Sequence, residues 1–261
     1  MKLLHGLKSN LSRAIFCPRF VLSVLIGVVI QLMGVWDVIQ LRGNNVTYLL
    51  FWLMQLGTFQ TLLVCVPAMV YSDSMLEDAK GASVRFSVQR IGVIPYLAVR
   101  YISTMLVGFL VMIVSCGIFL GGLALFMPID DAAGNMVLAD IVNGCYAQLV
   151  REGKFLAYIL VNILHQGICG MFYAGFALCC SAFIDNSFVV VAAPLLLYQW
   201  CGTLRDLLGL KYSLADIQFC TAELSTVAEA LPYTFARFFL LTVLCGIVFV
   251  WKGRRCVAHA V

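Results

Sequence analysis

Charge is what this chain has least of. Only 11% of its 261 residues are Asp, Glu, Lys or Arg, under half of the roughly 25% usual in globular domains. With 62% hydrophobic residues and a mean hydropathy of +0.99, the chain has more apolar surface than a soluble fold of this length can hide. Lipid is therefore the expected solvent for most of it. No basic patch interleaves with aromatics, which excludes nucleic acid as a partner. GxxxxGK[ST], HExxH, GxSxG and CxxC are all missing. The chain therefore cradles no nucleotide phosphates by the first route and has no catalytic or metal signature of the others. No small-residue cleavage site follows the first apolar run, so that run reads as a retained span.

The 11 cysteines do not make a disulfide framework. Cys65, Cys116, Cys169, Cys179, Cys180 and Cys245 fall inside apolar runs, where cysteine acts as a small hydrophobe. Cys145, Cys201 and Cys220 are the candidates for an oxidising compartment. Cys201 and Cys220 flank much of one polar connection, and Cys145 competes for the same pairing. His165 and Cys169 lie four apart on one apolar run. A metal would need three or four converging ligands, so they read as packing residues.

What is present is a set of long apolar runs. A spanning helix needs about 20 mainly apolar residues. Six runs qualify or nearly do: Arg19–Trp36, Tyr48–Tyr71, Tyr96–Met127, Phe155–Ile184, Ser187–Leu204 and Leu231–Trp251. The expected fold is an all-α integral membrane protein with six transmembrane helices. Asp185-Asn186-Ser187 forces a very short turn between the fourth and fifth. Residues 1–17 form a separate unit. Leu3, Leu4, Leu7, Leu11, Ala14 and Ile15 repeat at helical spacing, opposite Lys2, Lys8 and Arg13. This predicts an interfacial helix, and Pro18 then turns the chain into the six-helix domain of residues 18–261.

The scarce charges are unevenly placed. With both termini cytoplasmic, 11 of the 17 basic residues lie inside, the direction the positive-inside rule requires. The expected localisation is the cell membrane, multi-pass, with two long outer segments at about 128–154 and 205–230. Almost no ionisable group falls within a span, which argues against proton coupling and against an intramembrane hydrolase. Arg237, near the outer end of the sixth run, is the exception. Gly117 and Gly121 make a GxxxG, and Gly170 and Ala174 continue the small-residue pattern. Both suit close helix packing, within the chain or between copies.

The exception to the scarcity is residues 72–95, on the inner side between the second and third runs. This stretch has Asp73, Glu77, Asp78, Lys80, Arg85 and Arg90. Val84, Val88 and Ile91 form an apolar stripe among the charges. A short helix with apolar knobs and a charged rim suits docking into a cleft of a soluble partner.

The order of these features resembles the permease subunits of ABC-2-type ABC transporters over nearly the whole chain. That family has an inner amphipathic helix, six spans, a charged loop after the second, a very short loop after the fourth and a long outer segment before the sixth. The matching residues in the loop are Glu77 or Asp78, Gly81, Arg90 and Tyr96, with Arg100 at a position often basic. Gly81-Ala82 stands where Gly-Thr is common, and Pro95 directly precedes Tyr96. The resemblance implies that the loop docks on a separate ATPase. The coupling residues would be Glu77, Asp78, Gly81, Val84, Arg85, Val88, Arg90 and Ile91. It implies no cofactor or metal on this chain and ATP on the partner. It also implies a second permease copy or a homologous permease beside this one, with the bilayer around both. The function expected is export by a half-transporter that is not itself an enzyme. Lipid, peptide, antibiotic and drug exporters share this architecture. The alternatives are a membrane scaffold or assembly factor without transport, and an integral membrane enzyme, which the missing catalytic constellation disfavours.

Overall fold

The computed structural model describes residues 2–39, 45–55, 60–72, 74, 88–89, 92–129 and 144–260, without the side chains of 2–5, 55, 60 and 256–260. All regular structure among the described residues is helical. The helices are α1 (Lys2–Ile15), α2 (Pro18–Ile39), α3 (Val46–Gln55), α4 (Gln60–Leu63), α5 (Val93–Ala124), α6 (Ala147–Arg151), α7 (Phe155–Cys180), α8 (Ser187–Leu208), α9 (Leu214–Gln218) and α10 (Val227–Ala260). Five of them, α2, α5, α7, α8 and α10, are long and apolar enough to cross a membrane.

The bundle is built on the α5–α7 pair, and small residues set its closeness. A Cβ added to Gly108 on α5 would lie 2.4 Å from Ala174 Cβ on α7. One added to Gly170 would lie 2.4 Å from Met112 Cγ and 2.8 Å from the Gly108 carbonyl oxygen. Backbone thus approaches backbone, as van der Waals packing in lipid favours. Helix α10 closes on the same pair through Gly246, where an added Cβ would meet Tyr101 at 2.9 Å. Helix α2 adds a narrow face in which Gly27 lies against Ser115. Gly117 and Gly121 behave differently, since an added Cβ there meets nothing within 4 Å. The GxxxG on α5 is an open face, not an internal contact.

The outward faces of α2, α8 and α10 are apolar and exposed, with Leu25, Val29, Leu196, Trp200, Leu240 and Ile247 among them. In water such a surface would be untenable, and in lipid it is solvated. Helix α8 starts at Asn186, whose side chain accepts from the Phe188 and Val189 amides at 2.9 and 3.4 Å. It ends at Gly209 in the left-handed conformation, φ 60°, a stop that glycine permits without Cβ strain.

The second expected span, Tyr48–Tyr71, differs from expectation. It is not one long helix. Helix α3, the one-turn α4 and a 3-10 turn at Val66–Ala68 share its described residues. Pro67 lies in that 3-10 turn and has no amide to donate. The polar residues Gln55, Thr58, Gln60 and Thr61 also break the apolar run. Irregular backbone within a membrane must be covered by protein, and this segment is covered: Leu49, Leu53, Val64, Val66 and Ala68 are all fully buried. Its two ends meet opposite ends of α5. The Val46 amide donates to Pro128 O at 3.1 Å and Thr47 Oγ1 donates to Ile129 O at 2.8 Å. At the other end, Arg100 Nε donates to Ser74 Oγ at 3.0 Å. The end of the bundle holding Arg100 and Lys252 is called the basic end below, and the other the loop end.

Helix α1 lies against the basic end. Gly6 faces Val99 on α5 at 3.8 Å. Leu11 and Ala14 pack into a cluster with Val24, Val66 and Val107, while Lys8, Ser12 and Arg13 are exposed. Part of the apolar stripe expected to rest on lipid is therefore spent on the bundle itself.

Candidate functional site

At the basic end the structure assembles a clamp around one buried cation. Arg100 is 1% exposed. Besides the bond to Ser74, its Nη1 donates to Tyr96 Oη at 3.2 Å. The guanidinium lies over the Tyr71 ring at 5.1 Å and near the Tyr96 ring at 5.9 Å. A guanidinium suits this role because it is planar, weakly hydrated and stacks on aromatic faces. The clamp ties the end of the broken segment (Tyr71, Ser74) to the start of α5 (Tyr96, Arg100). In sequence, Tyr71 and Tyr96 flank the charged stretch.

Of the eight residues expected to couple to a partner, Glu77, Asp78, Gly81, Val84, Arg85, Arg90 and Ile91 lie outside the described residues. Val88 is described, and its side chain points inward. It is 8% exposed and belongs to a cluster with Tyr96, Leu97, Tyr101, Leu178 and Phe249. Val88, expected as a knob presented to another protein, here packs on its own bundle. A β-branched residue beside this aromatic-rich cluster gains more from its own bundle than from solvent exposure.

A second concentration of polar groups lies at the loop end, beside the segments that precede α7 and α10. One helical stripe of α7 supplies Asn162, His165, Gln166 and Tyr173, all buried. The one-turn α9, held by a capping box between Ser213 and Asp216, drops onto this stripe. His165 Nε2 lies 2.9 Å from Ile217 O and Nδ1 lies 2.8 Å from Tyr146 Oη. A carbonyl only accepts, so Nε2 carries the proton, and in the neutral ring Nδ1 accepts from Tyr146. Burial raises the pKa of the Tyr146 hydroxyl, with the nearby thiols of Cys220 and Cys145 adding to it, which keeps it a donor. Gln166 Nε2 donates to Gln218 O at 2.9 Å, and Tyr173 Oη to Gln218 Oε1 at 2.6 Å. Both imidazole nitrogens of His165 are thus committed to protein partners. Among the described residues no group of three or more His, Cys, Asp or Glu could hold a metal.

The segments that precede α7 and α10 meet beside this network. Cys145 N donates to Cys220 O at 2.9 Å, Tyr146 N to Leu224 O at 3.1 Å and Gln148 N to Ser225 O at 3.1 Å. Tyr146 and Cys220 both adopt positive φ, 67° and 56°, a cost of order 1–3 kcal/mol each that the surrounding contacts must offset. The Cys145 and Cys220 thiols lie within hydrogen-bonding reach of each other. Cys201, the partner first expected for Cys220, instead turns to the backbone of Leu214 and Ala215. The arrangement pins the loops to the bundle and has no reacting constellation. The sequence reading followed only His165 and Cys169. The fuller signal was legible as polar residues at positions 162, 165, 166, 169 and 173 of one helix face. Their common target on α9 was not.

No protein-family model, curated protein or solved structure matches this chain.

Proposed function

We propose that this chain is the membrane-spanning permease subunit of an ABC-2-type exporter, driven by a separate ATPase that docks on residues 72–95. One observation carries the reading. A charged stretch in a chain poor in charge is flanked by residues joined in a buried clamp, formed by Arg100 with Tyr71, Ser74 and Tyr96. A solvated connection has no need of a buried, stacked and hydrogen-bonded guanidinium at its root. A segment that passes force from a partner to α5 does. The traverse of residues 46–74 from one end of α5 to the other supports six crossings, the number this reading requires. The open Gly117 and Gly121 face on α5 is the small-residue surface left for a second copy.

The test is retention of an ATPase. The unmodified chain, purified from its native membranes, brings an ATPase subunit with it. Replacing Glu77, Asp78, Arg85 and Arg90 together by Ala releases it and stops transport, while membrane insertion stays normal. If the unmodified chain retains no ATPase, the reading fails and a scaffold without transport takes its place.

A further inference from the structure

Between α5 and α10, on the side nearer the basic end, lies a groove open to the side. Its cavity is about 610 Å³, with Ala98, Ile102 and Met105 on one wall and Val243, Ile247 and Trp251 on the other. The floor is Tyr101 against Gly246. The hydroxyls along it are satisfied, since Tyr101 Oη donates to Thr242 O and Thr242 Oγ1 donates to Phe238 O, each at 2.6 Å. The groove therefore offers water no partner. From Phe239 to Arg254 on α10 it runs about 22 Å at 1.5 Å per residue. One leaflet of a bilayer is about 15 Å deep.

Charge appears only at the end. Arg254 closes the groove and also lines a second cavity of about 610 Å³, which Arg255 and Trp251 share. The Arg255 guanidinium stacks over the Trp251 ring at 4.6 Å, which holds it at the mouth. Neither arginine has a carboxylate partner among the described residues. We propose that this groove binds one anionic phospholipid, with an acyl chain along α10 and the phosphate on Arg254 and Arg255. Basic pockets between spanning helices recognise such headgroups, and a phosphate accepts paired guanidinium bonds. A second copy of this chain is a poorer occupant. Sharing the membrane orientation, it would bring its own Arg254 and Arg255 to the same depth, like charge against like. The inference does not rest on the transport reading.

The full-length protein in detergent is given phosphatidylglycerol or phosphatidylcholine, and retained lipid is counted by native mass spectrometry. One phosphatidylglycerol per chain is retained about tenfold more tightly than phosphatidylcholine. Arg254→Ala with Arg255→Ala abolishes the preference. Ile102→Trp, a change at a half-exposed wall residue, blocks retention of either lipid without lowering the thermal midpoint. Excess inorganic phosphate does not displace the lipid. Equal retention of the two lipids overturns the proposal, as does an unchanged preference in the arginine double variant. Displacement by free phosphate, or efficient self-cross-linking of Ile247→Cys in membranes, overturns it as well.

Discussion

At the residue scale, two buried side chains decide how the charged stretch is held. Arg100 bonds Ser74 and Tyr96 and lies over Tyr71. Removing a buried hydrogen-bonding group and leaving its partners unsatisfied costs about 1–3 kcal/mol, and the stacking over Tyr71 is lost as well. Arg100→Ala should therefore lower the thermal midpoint of the detergent-purified protein markedly. Arg100→Lys should recover only part of the loss, because a compact ammonium cannot stack or fork in the same way. Val88 makes the complementary case. If it were an exposed knob, Val88→Asp would leave the permease intact and release only its partner. Buried against Tyr96, Leu97 and Phe249, it should instead reduce the yield of folded protein, since an unpaired charge is placed among apolar groups. Fluorescence-detected size exclusion separates these outcomes. A normal monodisperse peak for Val88→Asp would overturn the inward placement.

At the element scale, the glycines sort helix contacts by consequence. Gly108→Ala forces a methyl to within 2.4 Å of Ala174 Cβ and 2.7 Å of the Gly170 carbonyl oxygen. Backbone atoms yield poorly, so the cost should exceed the roughly 1–3 kcal/mol of ordinary overpacking. Gly117→Ala has open space around it and should be neutral, or stabilising by up to about 1 kcal/mol through helix propensity. Paired thermal melts test the contrast, and equal losses would refute the α5–α7 contact. The outer segments supply a second element-scale test. Mild oxidation should join Cys145 to Cys220, closing a long loop and adding about 2–4 kcal/mol of stability. A non-reducing peptide map should leave Cys201 unpaired with either, and a Cys201–Cys220 product would contradict the placement of α9.

At the scale of the whole molecule, the question is how often the chain crosses. Five helices have the length to do so. The broken segment begins beside Pro128 and Ile129 and ends beside Arg100, so it also runs the length of α5. Six crossings return both termini to the same side. Tags at the two ends should show identical accessibility in intact cells, and opposite accessibility would mean that residues 46–74 turn back within the membrane. The same traverse explains why an irregular segment survives here. Helices α2, α5, α7 and α8 pack against it, and its buried Leu49, Leu53, Val64 and Val66 show the irregular backbone covered by protein.

The sequence by itself determined the solvent, the element type and most boundaries. Apolar run length and the scarcity of charge leave helices in lipid as the workable solution, and local signals mark the ends: Pro18 before α2, Asn186 capping α8, Gly209 stopping it. It also singled out residues 72–95, because charge against an uncharged background is visible without coordinates. Only the tertiary structure decided which apolar residues face protein. Gly117 and Gly170 both lie in apolar runs, yet one faces open space and one meets Met112, and Val88, in the charged stretch, is buried on its own bundle. The approach of Cys220 to Cys145, and the descent of α9 onto His165 and Gln166, rest on contacts more than 50 residues apart in the chain. Local periodicity reports which side of a helix is apolar, but the identity of the neighbour is set by how the helices cross, and that information is not local.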